Sequence, residues 1–274
     1  MIELPEGRTL ASQAEKLLKG KTVTEVFPPS YLHKFTFFIG APAEYGSLLK
    51  GRKITGAKAC GMFVELFFEG GAVLSFNDGV NVRYGAPGAA IPAKYQLLIT
   101  FGDGSFVWFT VAMYGGIALH DGGWDNKYYQ TSLAAVSPLD DRYDRTVFDA
   151  LIAGEKKNVT AKALLATGQR IPGVGNGALQ DILFNAGIHP KRKIQSLSKE
   201  ETDALFRSLK ETLKAMADAG GRDTETDMLG NRGGYAAVLS KNTLGTPCPR
   251  CGTAIVKEPY MGGAVYFCPV CQKL

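Results

Sequence analysis

The sequence predicts an α+β multidomain protein: an N-terminal helix with an antiparallel β-sandwich, a helical domain, and a small module closed by cysteines. Three observations carry this expectation. Short apolar runs cut by Gly, Asp and Pro fill residues 21–120, the punctuation of paired strands. Residues 142–220 switch to helical periodicity. The chain then ends in Cys248-x2-Cys251 and Cys268-x2-Cys271, separated by sixteen residues. Two such knuckles form a tetrahedral thiolate set, the pattern of a structural zinc ribbon. Domain limits are expected at 1–131, 132–244 and 245–274.

Each element has its own signal. Pro5 suits a first helical position, and Leu10, Ala14, Leu17 and Leu18 share a face before Gly20 ends the helix. Strand-like runs follow at Val23–Val26, Phe35–Ile39, Phe63–Phe68, Val73–Phe76, Tyr95–Phe101 and Phe106–Val111. A polar connector with Trp124 and two tyrosines spans residues 122–141. Ser198-x-x-Glu201 is a capping box opening a helix with Leu205, Leu209, Leu213 and Met216 on one face. Gly220-Gly221 stops it, and a polar loop, Arg222–Tyr235, leads to the cysteines. Between the knuckles, Met261-Gly262-Gly263 reads as the turn of a hairpin.

Composition narrows the function. The chain has 274 residues, 45% of them apolar, enough to bury a sizeable core. No apolar run approaches membrane-spanning length, and Glu3 and Glu6 speak against a secretory signal. A cytosolic monomer with metal-held thiolates is the expectation, two disulfides in a secreted domain being the alternative. Cys60 reads as a buried thiol. The net charge is +5, and residues from Asp140 onward hold 19 Lys and Arg against 15 Asp and Glu. A positive excess beside a small metal module suggests a polyanion, most often nucleic acid. Four thiolate ligands leave no open position, so one structural zinc without catalytic duty is expected.

Between two helical stretches, 160–167 and 177–185, lies Ile171-Pro172-Gly173-Val174-Gly175-Asn176. Glycines allow close backbone approach, Asn176 is placed to begin the second helix, and a helix N-terminus offers N–H groups to an anion. A tight αα-turn with no ligand fits the pattern equally well. The run GQRIPGVGN…ILFNAGIHP strongly resembles the helix–two-turn–helix element of the formamidopyrimidine-DNA glycosylase and endonuclease VIII family. Met1-Ile2-Glu3-Leu4-Pro5-Glu6 resembles that family's N-terminal motif, and the cysteine ribbon stands where theirs does.

The resemblance implies a DNA repair enzyme that binds duplex DNA containing damaged bases or abasic sites, flips the lesion out and excises the base. A non-catalytic damage-binding protein is the alternative. By position, Lys162, Gly173, Gly175 and Asn176 would hold the DNA backbone. Glu3 would move protons at the opened deoxyribose, and Glu6 would be a supporting carboxylate. The family's nucleophilic N-terminal proline is replaced by Ile2, so the amine of Met1 or of Ile2 would form any Schiff base. Further departures are Met62 for a lysine, Asn77 for a histidine, and Gly263 for the ribbon-tip arginine. Met113 and Tyr114 align with void-filling residues and would be an apolar or aromatic wedge. The acidic loop Gly220–Asp227 aligns with the lesion-recognition loop, implying a different base preference or a loop turned away from DNA.

Overall fold

The structure is a computed structural model describing residues 1–274. Helix α1 (Leu4–Leu18) opens the chain, with Pro5 in its first turn and Glu3 and Glu6 forming a capping box. Nine strands follow. Strands β1 (Val23–Phe27), β7 (Leu97–Phe101), β8 (Phe106–Val111) and β6 (Val80–Gly85) make one sheet in the order β1-β7-β8-β6. Strands β2 (Thr36–Ile39), β9 (Gly115–His120), β5 (Val73–Asn77), β4 (Phe63–Phe68) and β3 (Ile54–Cys60) make the second in the order β2-β9-β5-β4-β3. Short helix α2 (Tyr45–Leu49) lies between β2 and β3.

One pairing departs from the antiparallel expectation: β2 runs parallel to β9, with Thr36 opposite Gly115. The chain leaves β1 in one sheet and crosses to the outer edge of the other, so no hairpin dictates direction there. Leu10, Ala14 and Leu18 of α1 join Ile54, Leu66, Phe76, Ile99 and Phe109 in a core of 24 buried residues. Each of the Leu, Ile and Phe side chains contributes about 1.5–3 kcal/mol by leaving water. The connector at residues 122–141 is not all loop. Asn126 caps α3 (Lys127–Ala134), and the Tyr129 phenol donates to buried Glu65 at 2.7 Å.

Helices α4 (Arg145–Ala153), α5 (Ala161–Ala166), α6 (Ala178–Ala186) and α7 (Lys199–Asp218) enclose a second core of 18 buried residues. Leu205, Leu209, Leu213 and Met216 are all fully buried in it, and Ser198 and Glu201 form the expected capping box. The last module is the hairpin of β10 (Val256–Tyr260) and β11 (Gly263–Phe267). Met261 and Gly262 both have positive φ and make its two-residue turn, while Gly263 already pairs with Tyr260. Phe184 of α6 joins Leu239, Ile255, Cys248 and Cys268 in a third cluster, so the hairpin module packs on the helical core.

Candidate functional site

The first four residues thread between the two large cores. Ile2 is buried in the sandwich core and Leu4 in the helical core. The Ile2 N–H donates to Asp78 O at 2.7 Å and the Leu4 N–H to Gly173 O at 2.8 Å, so the segment is pinned on both sides. Glu3, only 3% exposed, points into the N-terminus of α6. Its carboxylate accepts N–H groups from Gly175 at 3.1 Å, Gly177 at 2.8 Å and Ala178 at 2.8 Å. The glycine-rich turn is therefore an anion site, as its pattern suggests, but the anion it holds is the protein's own Glu3. A Cβ on Gly175 would fall 2.6 Å from the Glu3 carboxylate carbon, and one on Gly173 would fall 2.4 Å from Gly61 O. Those glycines are needed for contact between the domains.

Arg222 completes the junction. Its Nη1 lies 3.4 Å from Glu3 Oε1, while its Nε and Nη2 donate to Glu6 at 3.0 and 2.9 Å. Its backbone N–H also donates to Glu6 Oε1 at 3.0 Å. One guanidinium thus faces two carboxylates, all buried, and their proximity holds Arg222 protonated against the cost of burial. The three acids of the following loop are turned inward. Asp223 accepts the Ala237 N–H at 3.2 Å, Asp227 accepts from Gln13 at 2.8 Å, and Glu225 pairs with the Met1 α-amine. Of the first two residues only Met1 is exposed.

The ribbon hairpin covers the remaining residues of the turn. Lys162 is buried, its Nζ donates to Tyr260 O at 2.7 Å, and burial lowers its pKa. Asn176 does not cap α6. Gly177 is the N-cap residue, and the Asn176 amide instead donates to Ala264 O at 2.9 Å. The helix needs no side-chain cap because Glu3 satisfies its first N–H groups. The Asn176 Oδ1 is buried without a partner. Gly263 sits over both residues, and a Cβ there would lie 3.5 Å from Lys162 Nζ and from Asn176 Oδ1.

The four cysteines converge. Their sulfurs all lie within 4.8 Å of one another, with Cys248–Cys271 at 3.9 Å and Cys251–Cys268 at 3.4 Å. Tetrahedral thiolates at ordinary metal–sulfur distances stand about 3.8 Å apart, so this donor set fits one metal ion. The backbone N–H groups of Arg250 and Cys271 point at Cys248 and Cys268 sulfurs, both at 3.4 Å. Such donors support thiolates. Cys60 is separate and buried, which pushes its thiol up to about 11.

Met113 and Tyr114 lie in the β8–β9 turn, 65% and 44% exposed. They are surface residues, not core. The turn is joined to the N-terminal segment through Asp78-Gly79, where the Gly79 N–H donates to Tyr114 O at 3.1 Å. Met62 is half-buried beside Gly61 in the β3–β4 turn, and Asn77 accepts the Gly116 N–H at 2.9 Å. Arg222 and the Met1–Glu225 pair were not foreseen from the sequence. Nothing in the spacing connects residues 222 and 225 with residues 1, 3 and 6; only folding does.

Residues 134–227 match the model of the formamidopyrimidine-DNA glycosylase H2TH domain. A formamidopyrimidine-DNA glycosylase of Enterococcus faecalis is 29% identical over 100% of this chain and 98% of its own length. Another, of Cytobacillus firmus, is 28% identical over 99% of this chain and 100% of its own. Among solved structures, the Thermus thermophilus MutM (Fpg) protein superposes with a TM-score of 0.80 at 24% identity, covering 98% of both chains. The Lactococcus lactis Fpg bound to DNA containing an abasic site gives 0.84 at 23% identity over 99% of this chain and 100% of that one. With those relatives matched end to end and the cysteine quartet assembled, the chain carries the H2TH domain of the formamidopyrimidine-DNA glycosylases and is similar to them along its whole length.

Proposed function

We propose that the protein is a DNA repair glycosylase that binds duplex DNA containing damaged bases or abasic sites and releases the damaged base. Strand-cleaving lyase chemistry would run through its N-terminal amine. The observation that carries this reading is the course of Met1–Glu6 between the two cores, which leaves one exposed amine a residue away from the fixed carboxylate of Glu3. A core protein has no need of buried Glu3, Glu6 and Arg222 at such a junction, since charges there cost several kcal/mol to desolvate. The names of the E. faecalis and C. firmus relatives and the abasic-site DNA held by the L. lactis enzyme support the substrate class.

In this reading the lesion nucleotide is flipped from the stack, because its glycosidic carbon is unreachable within it. Glu3 serves the proton of the opened deoxyribose, and Glu6 keeps Arg222 in place. The exposed hairpin tip at Met261–Gly263, beside Asn176, faces the DNA backbone, a contact that sets register without reading sequence, while Lys162 and the Gly173–Gly175 turn hold the hairpin and Glu3 in place behind it. Met113 and Tyr114, exposed beside the N-terminal segment, enter the space left by the flipped base. The metal is one zinc held by Cys248, Cys251, Cys268 and Cys271. It fixes the hairpin against α6 and takes no part in the reaction.

Incubation of the full chain with duplexes carrying oxidised purines, oxidised pyrimidines or an abasic site tests the proposal. The expected result is free base from at least one lesion and a borohydride-trapped protein–DNA adduct on the abasic duplex. Tight, salt-sensitive binding with neither product would identify a damage-binding protein instead.

A further inference from the structure

We infer that the protein works with Met1 retained, and that Glu225 is the acid–base partner of the Met1 α-amine. This deepens the glycosylase reading and rests on it. Four observations support the assignment. First, the Met1 amine is paired with the Glu225 carboxylate, both partly exposed, 24% of the Glu225 side chain facing solvent. Second, the alternative amine is poorly placed. Ile2 is buried with its nitrogen donating to Asp78 O, so a free amine there would be a charged group buried inside the junction. Ile is also too bulky for ready removal of the methionine before it.

Third, the hydrogen bond of the amine goes to Glu225 and not to Glu3. The two Glu3 oxygens accept three backbone N–H groups and face Arg222. Fourth, Glu225 is held from both ends. Arg222 is locked to Glu6, Thr226 accepts from Arg83 Nη2, Asp227 holds Gln13, and Met228 is buried in the sandwich core. The charged groups around the pair are Asp78, Glu6, Arg83 and Arg222, contributed by the β5–β6 turn, α1, β6 and the loop itself.

The step balances as follows. The Glu225 carboxylate takes one proton from the Met1 ammonium, and the freed nitrogen lone pair bonds to the sugar aldehyde carbon. The second N–H proton moves to the former carbonyl oxygen, giving a hydroxyl. Protonated Glu225 then returns its proton to that hydroxyl, water leaves, and a protonated imine remains beside a regenerated carboxylate.

The test uses the full-length, metal-loaded protein and an abasic duplex. Intact mass should show Met1 retained, and peptide mapping of the borohydride adduct should find the sugar on the Met1 nitrogen. Glu225→Gln should slow trapping by about ten- to a hundredfold, without weakening affinity for the duplex or lowering the melting temperature. Glu225→Asp, which keeps the carboxylate, should restore part of the rate, an effect that a packing role would not produce. An adduct on Ile2 or a lysine, or wild-type trapping by Glu225→Gln, would overturn the inference. If base is still released in that case, the glycosylase reading stands; if the wild type neither releases base nor traps, both fail.

Discussion

Gly177 and Arg222 approach so closely that a Cβ on residue 177 would lie 1.4 Å from Nη1 of the arginine. The same absent Cβ would fall 2.8 Å from Glu3 Oε1. A helix N-cap thereby becomes the point where the N-terminal segment, the helical core and the 220–235 loop meet.

Gly177→Ala should consequently be far more damaging than its position suggests. At an ordinary N-cap, exchange of Gly for Ala costs well under about 2 kcal/mol. Here the guanidinium must move and leave Glu3 and Glu6 unpaired, a loss of about 3–5 kcal/mol. Urea denaturation of the variant should show that loss, with early proteolytic cleavage in the loop. A midpoint within experimental error of the wild type would mean that Arg222 can relocate freely.

Asp181 sets a pH dependence of stability. Burial pushes its carboxyl up to about 6, against the opposing N–H groups of Val238 and Leu239 and the Tyr235 phenol. Its native value lies above the unfolded one, so the native state binds more protons between about pH 4 and 6. This group's contribution is therefore most favourable below that window and is lost as pH rises through it. Asp181→Asn should remove that fall, worth at most about 3 kcal/mol, from denaturation midpoints compared at pH 4, 5, 6 and 7. Parallel profiles for the two proteins would refute it.

Metal removal should free the hairpin while sparing the helical core. The hairpin is held to α6 by few bonds, Gln180 to Ala264 O at 3.0 Å and to the Tyr266 N–H at 3.0 Å among them. Without the metal, four clustered thiols must be satisfied by a small core. A chelator should release one metal ion per chain, raise hydrogen exchange in residues 245–274, and weaken duplex binding, with far-UV helicity nearly unchanged. Unaltered exchange in the hairpin would show that it folds unaided.

Gly263→Arg should be tolerated and should add a DNA contact. Residue 263 lacks positive φ, and a Cβ there meets only ordinary contacts. A guanidinium beside Lys162 and Asn176 would increase the magnitude of the log–log salt slope for duplex binding by about 1. A slope equal to that of the wild type would place the hairpin tip away from the phosphates.

What could be read from the sequence was what is local. The α1 start, the capping box at Ser198, the strand runs and the two cysteine knuckles each follow from chain neighbours and their backbone preferences. The resemblance of three motifs pointed to the family. Tertiary structure decided what those motifs do to one another. Gly173-Val174-Gly175 advertises an anion site, but periodicity cannot say that the anion is Glu3, some 170 residues upstream. Asn176 has the composition of a cap yet turns to the hairpin, because Glu3 has already taken the helix's free N–H groups. Arg222, Glu225 and the parallel β2–β9 pair carry no local signal, since burial of a charge and choice of a sheet edge are settled only when separate segments meet. The sequence by itself determined the scaffold and its cysteine cluster; only the folded chain put the Met1 amine on Glu225 and buried Glu3 against the start of α6, since desolvation and pairing act through space.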